Sequence, residues 1–290
     1  MRMNALGPEG TNGHEAAMLA APIMQDRLQL KHPPAVILLP SHTDVLEQTH
    51  QRGCLGCVAI ENDSEGLVHE VVKYLANDNP SAHVIGEVSL PIQHDVLIHH
   101  DANESDIRFA ISHQQALGQT RKNREEMKIA TGNPTTSTAE AARLIASWEE
   151  PNWRHTAAIA SPFAAETYAL KTMRAHVEDE PGNTTRFYIL GKKQPMNGGN
   201  GGKTALIFAV SDQSCSLGHT LLSIGSGDDV NISSLDRVRL GSKANSVFWC
   251  EFDAHIQSKP GKNIMRRLHT LVARNADGSP RLRVLGSWST

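Results

Sequence analysis

Residues 36–75 read VILLPSHTDVLEQTHQRGCLGCVAIENDSEGLVHEVVKYL, and the fold class follows from this stretch. Val36-Ile37-Leu38-Leu39-Pro40 is a short apolar run closed by proline and reads as a strand. Thr43 to Gln51 then reads as a helix, and Gly56-Cys57-Val58-Ala59-Ile60 as a second strand. From Leu67 to Leu75 the apolar residues Leu67, Val68, Val71, Val72 and Leu75 fall on one helical face. Strands alternating with helices predict βαβ units and a largely parallel sheet.

The same alternation continues outward. Strands are expected at 83–88, 96–98 and 157–160, and helices at 114–123, 137–147 and 162–169. Ser137-Thr138-Ala139-Glu140 opens one of these helices as a capping box, serine and glutamate each answering a free amide. Asn77-Asp78-Asn79-Pro80 marks a turn-rich crossing. Asn197-Gly198-Gly199-Asn200-Gly201-Gly202 is a linker, since Lys203-Thr204 leads into a strand and not into the helix a phosphate loop would need. Residues 203–290 then read strand, helix, strand, strand, helix, strand: a small α+β unit.

Composition excludes several function classes. A net charge of -3 without a basic run argues against nucleic acid as partner. No apolar stretch approaches the ~20 residues that span a bilayer, and the first residues lack a signal peptide's apolar core, so a cytoplasmic protein is expected. Cys54 and Cys57 form a C-x-x-C, but no second pair stands at zinc spacing and Cys57 opens an apolar run; both read as small buried hydrophobes. His99-His100-Asp101 is adjacent in sequence, but neighbours on a strand face opposite ways, which argues against a joint metal site.

Three polar clusters at strand ends, 7–11, 61–66 and 182–187, are where an open α/β sheet binds ligands. Leu6 to Ala17 reads L-G-P-E-G-T-N-G-H-E-A-A; Ala59 to Val68 reads A-I-E-N-D-S-E-G-L-V. Ser112 to Leu117 reads S-H-Q-Q-A-L, Ser137 to Ala142 S-T-A-E-A-A, and Asn183 to Phe187 N-T-T-R-F. With Lys203 to Phe208 and Val284 to Ser287, these segments resemble, in order and over essentially the whole chain, the prephenate dehydratase family. Asn12 and Gly13 depart from that family's aromatic and hydroxyl residues, and Ala59, Asp63 and Gln114 from its Pro, Ser and Pro.

The resemblance implies two α/β lobes of the type II periplasmic-binding-protein kind around a cleft, followed by an α+β ACT domain of ferredoxin-like fold. The expected division is a catalytic domain at 1–194, with lobe one at 1–76 and 170–194 and lobe two at 77–169, a linker at 195–202 and the ACT domain at 203–290. It implies decarboxylative dehydration of prephenate to phenylpyruvate in phenylalanine biosynthesis, with no cofactor, by a homodimer or homotetramer. Thr185 would assist hydroxide departure. Thr11, Asn62, Ser112, Gln115, Ser137 and Thr138 would bind substrate. Arg186 would either grip a substrate carboxylate or form an ion pair at the lobe interface. Two alternatives stay open: arogenate dehydratase or non-aromatising prephenate decarboxylase on the same scaffold, and a non-catalytic amino-acid-binding regulator. The family's effector motifs would fall at Cys215-Ser216-Leu217-Gly218 and Asp236-Arg237-Val238-Arg239 and are not preserved, so an amino-acid effector is expected to act weakly or not at all.

Overall fold

The computed structural model describes residues 1–76, 82–192, 201–227, 229–239 and 246–289. The expected crossing at 77–80 and most of the expected linker lie outside them. The chain opens with β1 (Arg2–Leu6), α1 (Asn12–Arg27), β2 (Ala35–Leu39), α2 (His42–Gln48), β3 (Cys54–Asn62), β4 (Gly66–Leu67), α3 (His69–Ala76) and β5 (His83–Pro91). A second block holds β6 (Asp95–Ile98), β7 (Phe109–His113), α4 (Gln114–Gln119), α5 (Arg121–Glu126), β8 (Ala130–Thr135), α6 (Thr138–Ser147), β9 (Thr156–Ala160), α7 (Pro162–Tyr168) and β10 (Lys171–Arg174). β11 (Thr184–Gly191) follows, then β12 (Lys203–Val210), α8 (Ser216–Gly225), β13 (Ile232–Val238), β14 (Ser246–Phe252), α9 (Lys259–Leu271) and β15 (Leu282–Trp288).

Among the described residues two sheets result. One runs β13-β14-β12-β15-β5-β11-β3-β1-β2, with β4 beside β3; the other runs β10-β6-β9-β7-β8. The sheet at lobe one is less parallel than expected: β11 lies antiparallel between β3 and β5. The cause is connectivity, since the chain leaves the first sheet at the end of β5 and returns at that same end, Thr184 beside Pro91, so β11 runs back against β5. This also moves the expected lobe boundaries. β5 still belongs to the first sheet and β10 to the second, so the crossings fall at about 92–94 and 175–183, not near 77 and 170.

The elements follow from local chemistry. In α1, Ala16, Ala17, Ala20, Ala21 and Met24 form one buried stripe, and Thr11 caps it by accepting from the His14 amide. The alanines bring the helix axis close to the sheet; enlarging one would overpack the contact by about 1–3 kcal/mol. Ser137 caps α6 through the Glu140 amide at 3.0 Å, but the Glu140 carboxylate pairs with Arg143 at 2.8 and 2.7 Å, so only half the expected capping box forms.

The C-terminal unit is βαββαβ with strand order β13-β14-β12-β15, the ferredoxin-like arrangement. It joins the first sheet at a single residue pair, Gly286 with Val84, where a Cβ on Gly286 would collide with the Val84 carbonyl. The joint is apolar: Val58, Ile60, Tyr188 and Leu190 share one core with Ala205, Ile207, Trp249, Leu285 and Trp288. Burying each large side chain there is worth about 1.5–3 kcal/mol. No described helix is long and apolar enough to cross a membrane.

Candidate active site

A cavity of about 410 Å³ lies between the two sheets, with walls from both lobes. Of the expected site residues, Thr11, Asn62, Gln115, Ser137, Thr138 and Thr185 line it. Their chemistry is set by the strands that carry them. Asn62 and Thr185 are register partners on β3 and β11. The Asn62 Oδ1 accepts from the amides of Ser64 and Glu65 at 3.0 and 3.1 Å, which forces its Nδ2 toward Thr185 Oγ1 at 2.8 Å. Thr185 is therefore an acceptor toward Asn62, and its own proton meets no acceptor among the described residues. A hydroxyl so held, 8% exposed, can donate into the cavity.

Two helix N-termini enter from opposite lobes: α1 at Thr11-Asn12-Gly13 and α6 at Ser137-Thr138. Each presents free amides and roughly half a positive charge, a built-in preference for anions. Among the described residues no Lys or Arg lines the cavity, and Glu65 is its one carboxylate, accepting from Gln115 Nε2 across the cleft at 2.9 Å.

Three lining residues were not expected from sequence, His42, His94 and His113, while Glu65 and Asn183 belong to the polar clusters 61–66 and 182–187 without having been singled out. Burial lowers the pKa of His42, with an opposing pull from Glu70, and lowers that of His94 against the Gln119 hydrogen bond and the Glu178 and Asp95 charges. Both therefore stay neutral near pH 7. His42 Nδ1, His94 Nδ1 and Asn183 Oδ1 are buried without a hydrogen-bond partner among the described residues. All three atoms are sealed within the wall, out of reach of a molecule in the cavity. Isolated histidines give no signal in sequence; only the fold gathers them.

Two expected ligands fall elsewhere. Ser112 is fully buried and donates to the Ile159 carbonyl at 2.6 Å, so its hydroxyl ties β7 to β9 and does not reach the cavity. Arg186 projects from the opposite face of β11 to Thr185, because successive strand residues alternate. Its guanidinium is taken up by Glu61, Glu87 and Glu251 at 2.8–3.2 Å. It is an ion-pair residue, but between the first sheet and the C-terminal unit, not between the lobes. The signature Thr185-Arg186-Phe187 lies on a strand rather than in a loop.

Cys54 and Cys57 are buried free thiols, and burial pushes the Cys57 thiol well above its usual range. His99, His100 and Asp101 lie just beyond β6, and their donor atoms come within 4.8 Å of one another, so the strand argument against their meeting fails. None of the three lines the cavity.

A family model for prephenate dehydratase matches residues 3–195. The bifunctional chorismate mutase/prephenate dehydratase of Stutzerimonas stutzeri is 30% identical over 99% of this chain and 73% of its own length. Arogenate dehydratase/prephenate dehydratase 2 of Arabidopsis thaliana is 28% identical over 79% of this chain and 59% of its own. Two solved structures share the fold. GqqA, described as a novel type of quorum-quenching acylase, superposes with a TM-score of 0.84 at 23% identity, covering 100% of this chain and 98% of its own. The prephenate dehydratase of Arthrobacter aurescens in complex with L-Phe gives 0.82 at 23%, covering 100% and 90%.

Proposed function

The chain belongs to the prephenate dehydratase family, and on that premise we propose that it converts prephenate to phenylpyruvate, carbon dioxide and water, within aromatic amino-acid biosynthesis. The observation that carries the reading is the Thr185–Asn62 pair, which leaves one uncommitted hydroxyl proton facing a cavity flanked by two helix N-termini.

In the proposed reaction the ring hydroxyl of prephenate leaves as water, taking up a proton, while the ring carboxylate departs as carbon dioxide. The electron pair of the breaking carbon–carbon bond completes the aromatic ring. Aromatisation supplies the driving force, so no electron sink or other cofactor is called for. The enzyme must stabilise negative charge on the departing oxygen and hold the remaining carboxylate still. Thr185 Oγ1–H serves the first need as a preorganised donor, since a hydroxyl is too weak an acid to act by acidity alone. The amides of α1 and α6, with the hydroxyls of Thr11, Ser137 and Thr138, serve the second. Asn62 sets the direction of the Thr185 proton, and Gln115 joins the lobes over the substrate. Incubation with prephenate, followed by measurement of phenylpyruvate, tests this reading.

A second reading has a specific observation behind it. Among the described residues Glu65 is the one carboxylate on a wall that carries no Lys or Arg. It opposes a dianion and would favour the ammonium group that arogenate carries in place of the keto oxygen. The C-terminal unit is proposed to be an ACT domain that joins subunits in a homodimer or homotetramer. Its effector loop holds Cys215 at φ +63°, a left-handed conformation that favours glycine. Arg237 and Arg239 follow on and beyond β13, and weak or absent response to phenylalanine is the proposal.

A further inference from the structure

The face of the sheet beneath the candidate site carries a charged cluster that the proposed chemistry does not use. The register pair Asn62–Thr185 is followed directly by the pair Glu61–Arg186, and the ladder slips between Arg186 and Phe187. Such a bulge re-aims neighbouring side chains. Thr185 and Phe187 line the cavity, so Arg186 anchors the irregular stretch from the other side. Its Nη2 reaches Glu61 at 3.0 Å and Glu251 at 2.8 Å, its Nε reaches Glu61 at 3.2 Å, and its Nη1 reaches Glu87 at 2.9 Å. Glu87 also pairs with Lys203 at 2.9 Å.

Glu251 comes from β14, in the middle of the C-terminal sheet, and is 0% exposed. Its second oxygen takes a short hydrogen bond from the Tyr188 hydroxyl, so both oxygens of this carboxylate grip β11, at Arg186 and Tyr188. A buried carboxylate satisfied on both oxygens is geometrically confined. The C-terminal unit thus holds the strand on which Thr185 stands, one residue away from it.

We propose that Glu251 is a positioning residue for the dehydration: through Arg186 it fixes the bulged stretch of β11 and thereby the direction of the Thr185 hydroxyl. This rests on the dehydratase reading. It makes the C-terminal unit part of the catalytic scaffold, whether or not an effector binds there.

The test uses the full chain. Wild-type turnover of prephenate or arogenate is measured first; if neither is turned over, the dehydratase reading fails before the positioning role is at issue. Given turnover, Glu251→Gln, which keeps shape and removes charge, is expected to lower kcat roughly ten- to hundredfold, the scale of a small misplacement of a reacting group, with KM within about twofold. The same substitution made on Thr185→Val is expected to cause no further loss, because it acts only through that hydroxyl. A merely structural role would multiply the two losses, which would overturn the proposal, as would an unchanged kcat in Glu251→Gln. If Glu251→Gln does not fold, Arg186→Lys, which keeps the charge and loses the planar fork, takes its place. The same kcat loss and the same non-additivity are expected of it, and an unchanged kcat or multiplied losses there would likewise overturn the proposal. Lys203→Met, which touches Glu87 but not Arg186, should stay within about twofold of wild type.

Discussion

Replacing Thr185 by valine removes one hydrogen-bond donor while nearly keeping the side chain's shape. The structure permits separate magnitudes for stability and rate. On the stability side, Asn62 Nδ2 loses its 2.8 Å partner but retains the Thr184 carbonyl at 3.4 Å, so the amide is weakened rather than orphaned. Leaving a buried donor poorly satisfied costs about 1–3 kcal/mol, and the remaining contact favours the low end. For a unit of this size about 1 kcal/mol lowers Tm by roughly 2–4 °C, so the variant should be fully folded at assay temperature. On the rate side, losing a preorganised donor to a developing oxyanion lowers kcat by about 10²–10³, or about 2.7–4 kcal/mol. Because the donor acts on charge that exists only in the transition state, kcat and kcat/KM should fall together and KM should hold within about twofold. Steady-state assays beside calorimetric unfolding measure both. A folded Thr185→Val with kcat within threefold of wild type would refute the role given to this hydroxyl.

Glu65→Gln removes the carboxylate from the cavity wall, and kcat/KM for dianionic prephenate should rise several-fold while that for arogenate falls; equal changes for both would show that Glu65 does not sort substrates. Burial lowers the pKa of His42, His83, His94 and His255 in the folded state. The unfolded chain therefore takes up protons below about pH 6.5 that the folded one resists. Their contribution is complete above that pH and is lost as pH falls through it. Tm should be flat from about pH 7 to 8 and drop toward about pH 5.5, and a rise over that lower range would contradict the assignment. Calorimetric titration with phenylalanine should give weak or no heat, with little inhibition; tight binding with strong inhibition would show that Cys215 and Arg237 are tolerated in an effector site.

Some of this was legible in sequence and some was not, for identifiable reasons. The apolar run Cys57 to Ile60 announces a strand because burial demands it, whereas Val36 to Leu39 forms an edge strand that stays partly exposed, Ile37 most of all. β11 was harder: it opens with Thr184-Thr185-Arg186, whose polar side chains suggest a loop until a cavity on one face and a carboxylate cluster on the other account for them. The same alternation decides Arg186, which motif spacing places beside Thr185 and strand geometry turns away from it. Ser112 looked like a ligand because its motif neighbours are; one residue's offset in β7 buries it. Asn62, Gln115, Ser137 and Thr138 were named through the motif resemblance, and strand ends and helix starts are where the fold puts them. His42, His94 and Glu251 meet the site only through tertiary packing, and no local pattern reports that.

The most direct test gives the purified chain prephenate and, separately, arogenate, and follows phenylpyruvate and phenylalanine by chromatography. Stoichiometric release of carbon dioxide with an aromatic product from at least one substrate is the predicted result, with loss of that release in Thr185→Val. Folded wild-type protein that binds either compound yet forms no aromatic product would contradict the dehydratase assignment.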